Sequence, residues 1–318
     1  MKVLIIGAGV IGSFNAARLT RAGVDVTLLA RGSRLAELKA HGVRLEDFHS
    51  GLRTTTRVKL VDRVGPDDAY DLAVVIVRRN QLASVLPMLA QASRIPSVLF
   101  LGNSATGPEL LVDALGKDRV LTGMVNAGGE RERDTGVVRY LWSKSMPLVF
   151  AELDGRPSAR TDAIQDLFAR AGLPAHTVRN VETVQKTHAA GLPGFAGAVY
   201  AAGGVRQLAH SPRLIRLFVA AYREALRGLH ADGTPITPRS NRLVEWIPQP
   251  LLVFALRFFL NTRLAVVGGE RHAMAAPDEM KEIADEIQAI LDRTHTPSPA
   301  SIALNHEIEG KLAVASSR

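Results

Sequence analysis

The chain begins with Lys2-Val3-Leu4-Ile5-Ile6, and Gly7-Ala8-Gly9-Val10-Ile11-Gly12 follows directly. The first stretch is short and apolar, as in a buried strand, and residues 13–21 have a helical pattern. A strand, a glycine turn and a helix in this order form a dinucleotide site, because the glycines permit a tight turn and a close approach of the backbone to a pyrophosphate. The helix N-terminus adds N–H groups and partial positive charge. We predict that residues 7–12 bind a dinucleotide; a purely structural glycine turn is the less favoured alternative.

The second apolar run, residues 24–29, decides which dinucleotide is expected. Sites for NAD usually carry Asp or Glu at the end of this strand, where the carboxylate binds the ribose 2′-hydroxyl. Residues 30–34 hold no carboxylate and instead contain Arg31, Ser33 and Arg34. Because a guanidinium binds phosphate through paired, charge-assisted hydrogen bonds, we predict NADP(H) as the cofactor. The alternative is a solvated basic loop.

Composition limits the protein class. A chain of 318 residues with 47% hydrophobic and 22% charged residues suits a globular protein of about two domains. The sequence has no cysteine, which excludes disulfides, thiolate chemistry and cysteine-ligated metals. We found no His, Asp and Glu spacing typical of a metal site, so no metal is expected.

Charge and hydropathy limit the partners. The net charge is +8, but the basic residues are dispersed, aromatic residues make up 5%, and no nucleic-acid motif occurs. We therefore expect an anionic cofactor and a small carbonyl or acidic substrate, and no nucleic acid. The apolar run from Trp246 to Leu260 is shorter than the roughly 20 residues of a membrane span, which favours a soluble, cytoplasmic protein without a membrane partner. That run is interpreted first as a buried core helix, with a substrate cleft or a homodimer contact as alternatives.

Periodicity predicts an α/β domain, a Rossmann doubly wound sheet over residues 1–180, followed by an all-helical domain over residues 181–318. The predicted strands after the second are residues 43–47, 54–60, 72–77, 96–101, 120–125, 136–140 and 148–152, and the predicted helices of the first domain are residues 13–21, 35–41, 82–92, 108–115 and 161–171. Long helices with one apolar face are predicted around residues 214–226 and 280–291.

Polar residues near the predicted strand ends locate the site. Ligands of open α/β sheets bind beyond the carboxyl ends of the strands, so Arg31, Arg78 and Asn103 are expected near the glycine turn. Lys186, at the start of the first helix of the second domain, is expected to face the same crevice. The alternatives are a solvated strand end for Arg78, a turn residue for Asn103 and a solvated lysine for Lys186.

The chain resembles the ketopantoate reductase (2-dehydropantoate 2-reductase) family. The matching pieces are residues 1–12, Arg31, Asp71-Leu72 leading to Arg78, Leu101-Gly102-Asn103, Gly136-Val137-Val138 and Lys186, in this order. The resemblance implies reduction of a 2-keto acid by NADPH and a helical C-terminal domain like that of 6-phosphogluconate dehydrogenase. It also implies that Lys186 donates a proton, that Asn103 contacts nicotinamide ribose and substrate, and that Arg78 helps to hold the cofactor.

The chain departs from this family at the substrate positions. The family usually has Asn four and eight residues after its lysine, where this chain has Ala190 and Gly194. We therefore expect a changed pocket that suits a bulkier or less polar carbonyl compound better than ketopantoate. Glu279 is the nearest match to a family glutamate that contributes to the active site, and its alternative role is a first-turn helix residue.

Two histidines and one rival function complete the predictions. His188 and His272 are interpreted as core or surface histidines, although Arg271-His272 could contact an acidic substrate. The leading hypothesis is an NADPH-dependent reductase. Its rival is a non-catalytic NADP(H)-binding protein, which would keep the glycine turn and Arg31 but lack turnover.

Overall fold

A computed structural model describes residues 1–124, 127–132, 134–144 and 147–316. The chain divides into two compact units. Unit 1 consists of Met1–Gly102 with Gly107–Val181, and unit 2 consists of Asn103–Thr106 with Glu182–Arg318. The sequence placed a boundary after Asn180, but nothing in it indicated that Asn103–Thr106 is grouped with the helical unit.

Unit 1 is an α/β unit. Its strands are β1 (Lys2–Ile6), β2 (Asp25–Leu29), β3 (Val43–Asp47), β4 (Arg53–Thr56), β5 (Lys59–Val61), β6 (Leu72–Val75), β7 (Val98–Leu101), β8 (Val120–Met124), β9 (Gly128–Arg131), β10 (Val138–Leu141), β11 (Leu148–Glu152) and β12 (Ala175–Thr177). Its helices are α1 (Val10–Arg21), α2 (Gly32–His41), α3 (Leu82–Gln91), α4 (Glu109–Leu115) and α5 (Ala159–Arg170). Val125 and Asn126, at the end of the strand predicted over residues 120–125, lie outside the described residues.

The main sheet of unit 1 has the order β12-β11-β8-β7-β6-β1-β2-β5. In this order, all neighbouring strands between β8 and β5 are parallel, and β11 is antiparallel to β8. Strands β1 and β6 are apolar throughout their centres because a separate buried cluster packs on each face of the sheet. The chain direction across the sheet switches between β1 and β6, and the glycine turn follows β1 immediately. This arrangement confirms the predicted Rossmann doubly wound sheet.

The prediction of a single strand over residues 54–60 is wrong. The segment forms two strands in different sheets: β4 pairs with β3, whereas β5 pairs with β2 at the edge of the main sheet. A second sheet of order β4-β3-β10-β9 results. Its buried residues Val43, Leu45 and Val138 belong to the same apolar cluster as Phe14 of α1. Alternation within the segment could not show that the chain changes sheets at Arg57-Val58.

Unit 2 is helical in its described residues. Its helices are α6 (Val181–Ala202), α7 (Val205–Ala209), α8 (Pro212–Ala231), α9 (Leu243–Trp246), α10 (Gln249–Leu260), α11 (Arg263–Ala265), α12 (Arg271–Ala275), α13 (Pro277–Arg293) and α14 (Pro299–Ser316), with a π-helical turn at Val266–Glu270. Helix α8 packs against α10, α13 and α14. Its buried Glu224 accepts hydrogen bonds from the backbone N–H groups of Ala300 and Ser301, at 3.1 and 2.8 Å, so one carboxylate caps the start of α14.

Helix α10 corrects a second prediction. The sequence favoured a buried core helix here, but only Val253 and Leu260 of α10 are buried. The opposite face, with Leu251, Phe254 and Phe258, is exposed. Among the described residues, no single helix is long and apolar enough to cross a membrane; Gln249–Leu260 with Arg263–Ala275 meets the length and composition test only as a pair bent by 83°.

Candidate functional site

The three glycines of the turn after β1 have three different surroundings. Gly7 has a φ of +112°, and a side chain there would overlap the carbonyl of Ile76. A side chain at Gly12 would overlap the carbonyl of Gly7, so this glycine lets α1 pack against the turn. Gly9 differs from both, since its φ is −75° and a Cβ would meet nothing within 4 Å. The fold needs glycine at positions 7 and 12, whereas the open space at Gly9 is what a closely approaching ligand would use.

The first turn of α1 is suited to an anion. Gly9 is the N-cap of α1, no described side chain caps this end, and the first turn has no acidic residue. The N–H groups of Val10, Ile11 and Gly12 have no acceptor inside the helix, as in every first helical turn. Together with the positive end of the helix dipole, these groups fit the pyrophosphate of a dinucleotide. The geometry of the turn therefore fits such a cofactor.

The Arg34 side chain stabilises the glycine turn through hydrogen bonds. Its Nε donates to the carbonyl of Ala8 at 3.0 Å and its Nη2 donates to Ser13 Oγ at 2.8 Å. Its Nη1 bonds both carboxylate oxygens of Glu37 at 2.7 Å. Burial lowers the pKa of the Arg34 guanidinium, and the Glu37 carboxylate opposes that effect. The pairing of Arg34 with Arg31 as phosphate ligands needs correction, because the Arg34 guanidinium is already bonded to the turn and to Glu37.

Arg31 is placed differently from Arg34. It lies two residues beyond β2 as the N-cap of α2 and is exposed, as is Ser33. Its Nε is 3.4 Å from the carbonyl of Asp62 and its Nη2 is 3.8 Å from Met88 Sδ, both weak contacts that leave most of the guanidinium at the surface. Arg78 follows β6 by three residues, is half-buried and starts a short 3₁₀ turn at Arg79–Gln81. Both arginines lie beyond the carboxyl ends of strands that flank β1.

Lys186 in unit 2 is held by a residue of its own helix. Its Nζ is 2.5 Å from Oε1 of Glu182, one turn earlier on α6, and only 12% of the Lys186 side chain is exposed. A glutamate four residues before a lysine is the favourable order for such a pair. No role for Glu182 was predicted from the sequence, although its spacing of four residues before Lys186 indicates such a pair.

A second group in unit 2 brings Asn103 to helix α13. Nδ2 of Asn103 lies 3.5 Å from Oε1 of Glu279, and Nε2 of His272 lies 3.3 Å from the other oxygen of the same carboxylate. Glu279 is 3% exposed. The backbone N–H of Ala105 donates to Oε2 of Glu286 at 2.8 Å, which ties the Asn103–Thr106 segment to α13 a second time. Two carboxylates seven residues apart on α13 thus bind the Asn103–Thr106 segment, Glu279 at Asn103 and Glu286 at Ala105.

His272 and His188 have different environments. The sequence did not predict the contact of His272 with Glu279. The two residues belong to different helices, α12 and α13, which are separated by a break at Ala276. Part of the His188 side chain reaches solvent. Desolvation by the surrounding protein atoms nevertheless lowers the pKa of His188, and repulsion from the nearby His272 lowers it further. A histidine with a lowered pKa is neutral at neutral pH, so His188 is a poor source of a proton.

Ala190 and Gly194 lie among the helices of unit 2. Ala190 is buried in the apolar cluster that contains Ala225 and Leu226 of α8. A Cβ at Gly194 would come within 3.3 Å of Cβ of Ala221, also on α8. The small residues therefore allow α6 and α8 to approach closely. The expected contact of a substrate with Ala190 and Gly194 stays a prediction that these packing contacts do not support.

Comparisons with known proteins agree with the fold. Residues 3–153 match the family model for ketopantoate reductase PanE/ApbA. A 2-dehydropantoate 2-reductase from Archaeoglobus fulgidus is 32% identical over 181 residues, 57% of this chain and 57% of that protein. A 2-dehydropantoate 2-reductase from Mesorhizobium japonicum is 27% identical over 198 residues, 55% of this chain and 59% of that protein. The chain thus matches little more than half the length of these relatives.

Solved structures extend the likeness of the fold to nearly the whole chain. A PanE/ApbA family ketopantoate reductase from Ralstonia eutropha JMP134 superposes with a TM-score of 0.77 at 21% identity, covering 98% of each chain. The ternary structure of a D-mandelate dehydrogenase with NADH and anilino(oxo)acetate gives a TM-score of 0.78 at 16% identity, again with 98% of each chain covered. The α/β unit with its glycine turn and the helical unit share the fold of these solved structures, and residues 3–153 are similar to the ketopantoate reductase family.

Proposed function

We propose that this chain is an NADPH-dependent reductase that converts the carbonyl group of a 2-keto acid, or of a related compound, to an alcohol. The observation that carries the proposal is the space at Gly9, where the fold leaves room beside the uncapped first turn of α1. The match of residues 3–153 to the ketopantoate reductase family model supports a nicotinamide coenzyme in that space. The coenzyme, when bound, would supply the hydride.

The preference for NADPH over NADH rests on Arg31. Its guanidinium is exposed just beyond β2, and residues 30–34 contain no carboxylate that would bind a ribose 2′-hydroxyl. A 2′-phosphate there would form charge-assisted hydrogen bonds with Arg31. The D-mandelate dehydrogenase neighbour was solved with NADH, so the two coenzymes must be compared directly on this chain.

Lys186 is the proposed proton donor. Hydride addition builds negative charge on the substrate oxygen, and an ammonium close to that oxygen both stabilises the charge and supplies the proton from Nζ. The Glu182 carboxylate holds the ammonium at one end of α6 and limits its rotamers. Glu182 is therefore the proposed positioning residue for Lys186.

Asn103 is the proposed polar contact for the substrate. Because Glu279 accepts from Nδ2, it fixes which way the Asn103 amide points, and the amide oxygen and second N–H are then oriented for a ligand. His272 holds the other side of the same carboxylate. The side chains at positions 190 and 194 offer no hydrogen bonds, so the proposed substrate is less polar around its carbonyl than ketopantoate.

A panel of 2-keto acids tests this function. NADPH oxidation is followed at its absorbance band with ketopantoate, with branched aliphatic 2-keto acids and with aryl 2-keto acids. We expect turnover that favours the less polar compounds and is lost in Lys186→Ala. Turnover that Lys186→Ala leaves unchanged would remove the proposed proton donor.

One observation favours a second candidate, a non-catalytic NADP(H)-binding protein. The ion pair between Lys186 and Glu182 is an ordinary helix-stabilising pair and needs no catalytic role. This candidate predicts NADPH binding with no turnover of any member of the panel. Binding by calorimetry, combined with the panel, therefore distinguishes the two functions.

A further inference from the structure

Helix α10 exposes a continuous apolar stripe. Leu251, Phe254 and Phe258 recur at helical spacing and are 60%, 63% and 65% exposed. The rings of Phe254 and Phe258 touch edge to face, with centroids 4.9 Å apart. Trp246, at the end of α9, is 76% exposed and extends the apolar surface towards α8. We call this surface, formed by Leu243, Trp246, Leu251, Phe254, Phe258, Phe259 and Leu264, the α10 face.

The surroundings of the α10 face are strongly basic. Residues 213–264 contain eight arginines, no lysine and three carboxylates, a net charge of +5 within a chain whose net charge is +8. All three carboxylates are engaged: Glu224 at the start of α14, Asp232 with Arg293, and Glu245 with Arg242 at 3.9 Å. Large exposed apolar surfaces are rare on monomeric proteins and mark interaction sites. Here such a surface lies in a basic segment of the chain.

A basic cavity lies beside the α10 face. It has a volume of about 290 Å³ and is lined by Arg223, Arg227, His230, Arg242, Glu245 and Trp246. Arg223 is fixed in the wall, because its Nε and Nη2 donate to the carbonyls of Val244 and Ile247 at 2.8 and 2.5 Å. Trp246 belongs to both the cavity and the α10 face. An anionic group and an apolar chain on one ligand would therefore meet matching surfaces side by side.

We propose that the α10 face and its cavity dock on a membrane surface that contains anionic phospholipid. The cavity takes the phosphate of a headgroup, while Trp246, Phe254 and Phe258 insert at the level of the acyl chain boundary. Apolar and aromatic side chains on one face with arginines around them are the composition of interfacial helices. Charge decides against a second copy of the chain, because a symmetric contact would bring Arg223, Arg227 and Arg242 of one copy close to the same three of the other.

Vesicle sedimentation with the 318-residue chain tests the proposal. Vesicles of phosphatidylcholine alone are compared with vesicles that contain a third of phosphatidylglycerol, at low and at physiological salt. We expect binding to the anionic vesicles that weakens with salt, and at least tenfold weaker binding to neutral ones. Inorganic phosphate and glycerol phosphate serve as competitors, and neither should displace the protein at concentrations that match the lipid phosphate.

Two variants separate the apolar from the charged contribution. The double variant Phe254→Ser/Phe258→Ser should reduce vesicle binding at least tenfold, and its control Leu52→Ser/Leu110→Ser alters exposed residues of unit 1 without effect. The double variant Arg227→Glu/Arg242→Glu should reduce binding at least twentyfold, since each cation near an anionic surface contributes roughly fivefold. Its control, Arg94→Glu/Arg156→Glu, changes the net charge equally and should bind as the unaltered chain does.

Three results would overturn the proposal. The first is equal binding of the Phe254→Ser/Phe258→Ser variant and its control. The second is a sedimentation velocity experiment in which the unaltered chain is a dimer and this variant a monomer, which would make the α10 face a contact between copies. The third is saturable binding of glycerol phosphate that requires Arg242 while vesicles do not bind, which would make the cavity a site for a soluble anion. Circular dichroism melts of all variants ensure that lost binding is not lost folding.

Discussion

The glycine turn of unit 1 and the Lys186 region of unit 2 are built in different ways. The turn uses backbone N–H groups and the absence of side chains, so its residues are adjacent in sequence and form a readable motif. The contacts of unit 2 use side chains: Asn103 meets Glu279, 176 positions later, and Glu279 also meets His272, whereas Lys186 meets Glu182 one turn earlier on its own helix. A site made of backbone can be inferred from a short pattern. A site made of side chains depends on which distant residues the fold brings together.

The largest expected effect lies in the side-chain region. If Lys186 donates the proton, Lys186→Ala should lower kcat by about 10²–10⁴-fold while the dissociation constant for NADPH stays the same. Lys281 is a matched control, since it forms a similar pair with Asp285 one turn later on α13. Equal losses in Lys186→Ala and Lys281→Ala would show that the two lysines only stabilise their helices.

The next largest effect concerns the backbone-built turn. A methyl group at position 12 would overlap the carbonyl of Gly7, so either the turn or α1 must shift. We expect Gly12→Ala to lower the free energy of unfolding by about 2–4 kcal/mol, as overpacking against backbone does. Denaturant titration measures this loss. A stability within about 0.5 kcal/mol of the unaltered chain would contradict the close packing of helix and turn.

A third prediction concerns Arg31, which follows β2. Arg31→Ala should raise the dissociation constant for NADPH by roughly 10–100-fold, because charge-assisted hydrogen bonds contribute about 1.5–3 kcal/mol, and should change NADH binding little. Arg21→Ala, at the exposed end of α1, is the control. If Arg31→Ala weakens both coenzymes equally, the 2′-phosphate is not its ligand.

The smallest effect is a dependence on pH. The hydrogen bonds from Arg293 lower the pKa of Asp232 below its ordinary value of 3.8. A carboxyl with a lowered pKa contributes stability above its ordinary pKa and loses that contribution as the pH falls through the lowered value. Asp232→Asn should therefore cost less than about 1 kcal/mol at pH 7, and nothing at a pH below both values. A constant difference from pH 7 to pH 2 would assign the loss to packing.

The outcomes for particular residues show how far the sequence could predict the structure. The order of β1, turn and α1, and the position of Arg31 beyond β2, follow from local pattern, and the sheet contains them as predicted. Local pattern did not reveal that residues 53–61 divide between two sheets, because the strands with which β4 and β5 pair lie elsewhere in the sequence.

Long-range contacts account for the other differences. Arg34 resembled a phosphate ligand next to Arg31, but its bond to the carbonyl of Ala8, 26 positions earlier, is made possible only by the folded turn. The apolar pattern of α10 predicted a buried helix, but one face of α10 is exposed. The prediction failed because hydrophobicity alone does not tell whether another element covers a helix. In both cases the residue type was informative, and its partner was not in the local sequence.

Calorimetric titration of NADPH into the unaltered chain and into Gly9→Ala tests the central claim most directly. A Cβ at position 9 meets nothing in the protein, so this variant should melt at the same temperature as the unaltered chain. If the coenzyme pyrophosphate lies against the turn, the unaltered chain binds one NADPH and Gly9→Ala binds it at least tenfold more weakly. Equal affinity of the two proteins, or no heat of binding to the unaltered chain, would contradict the account.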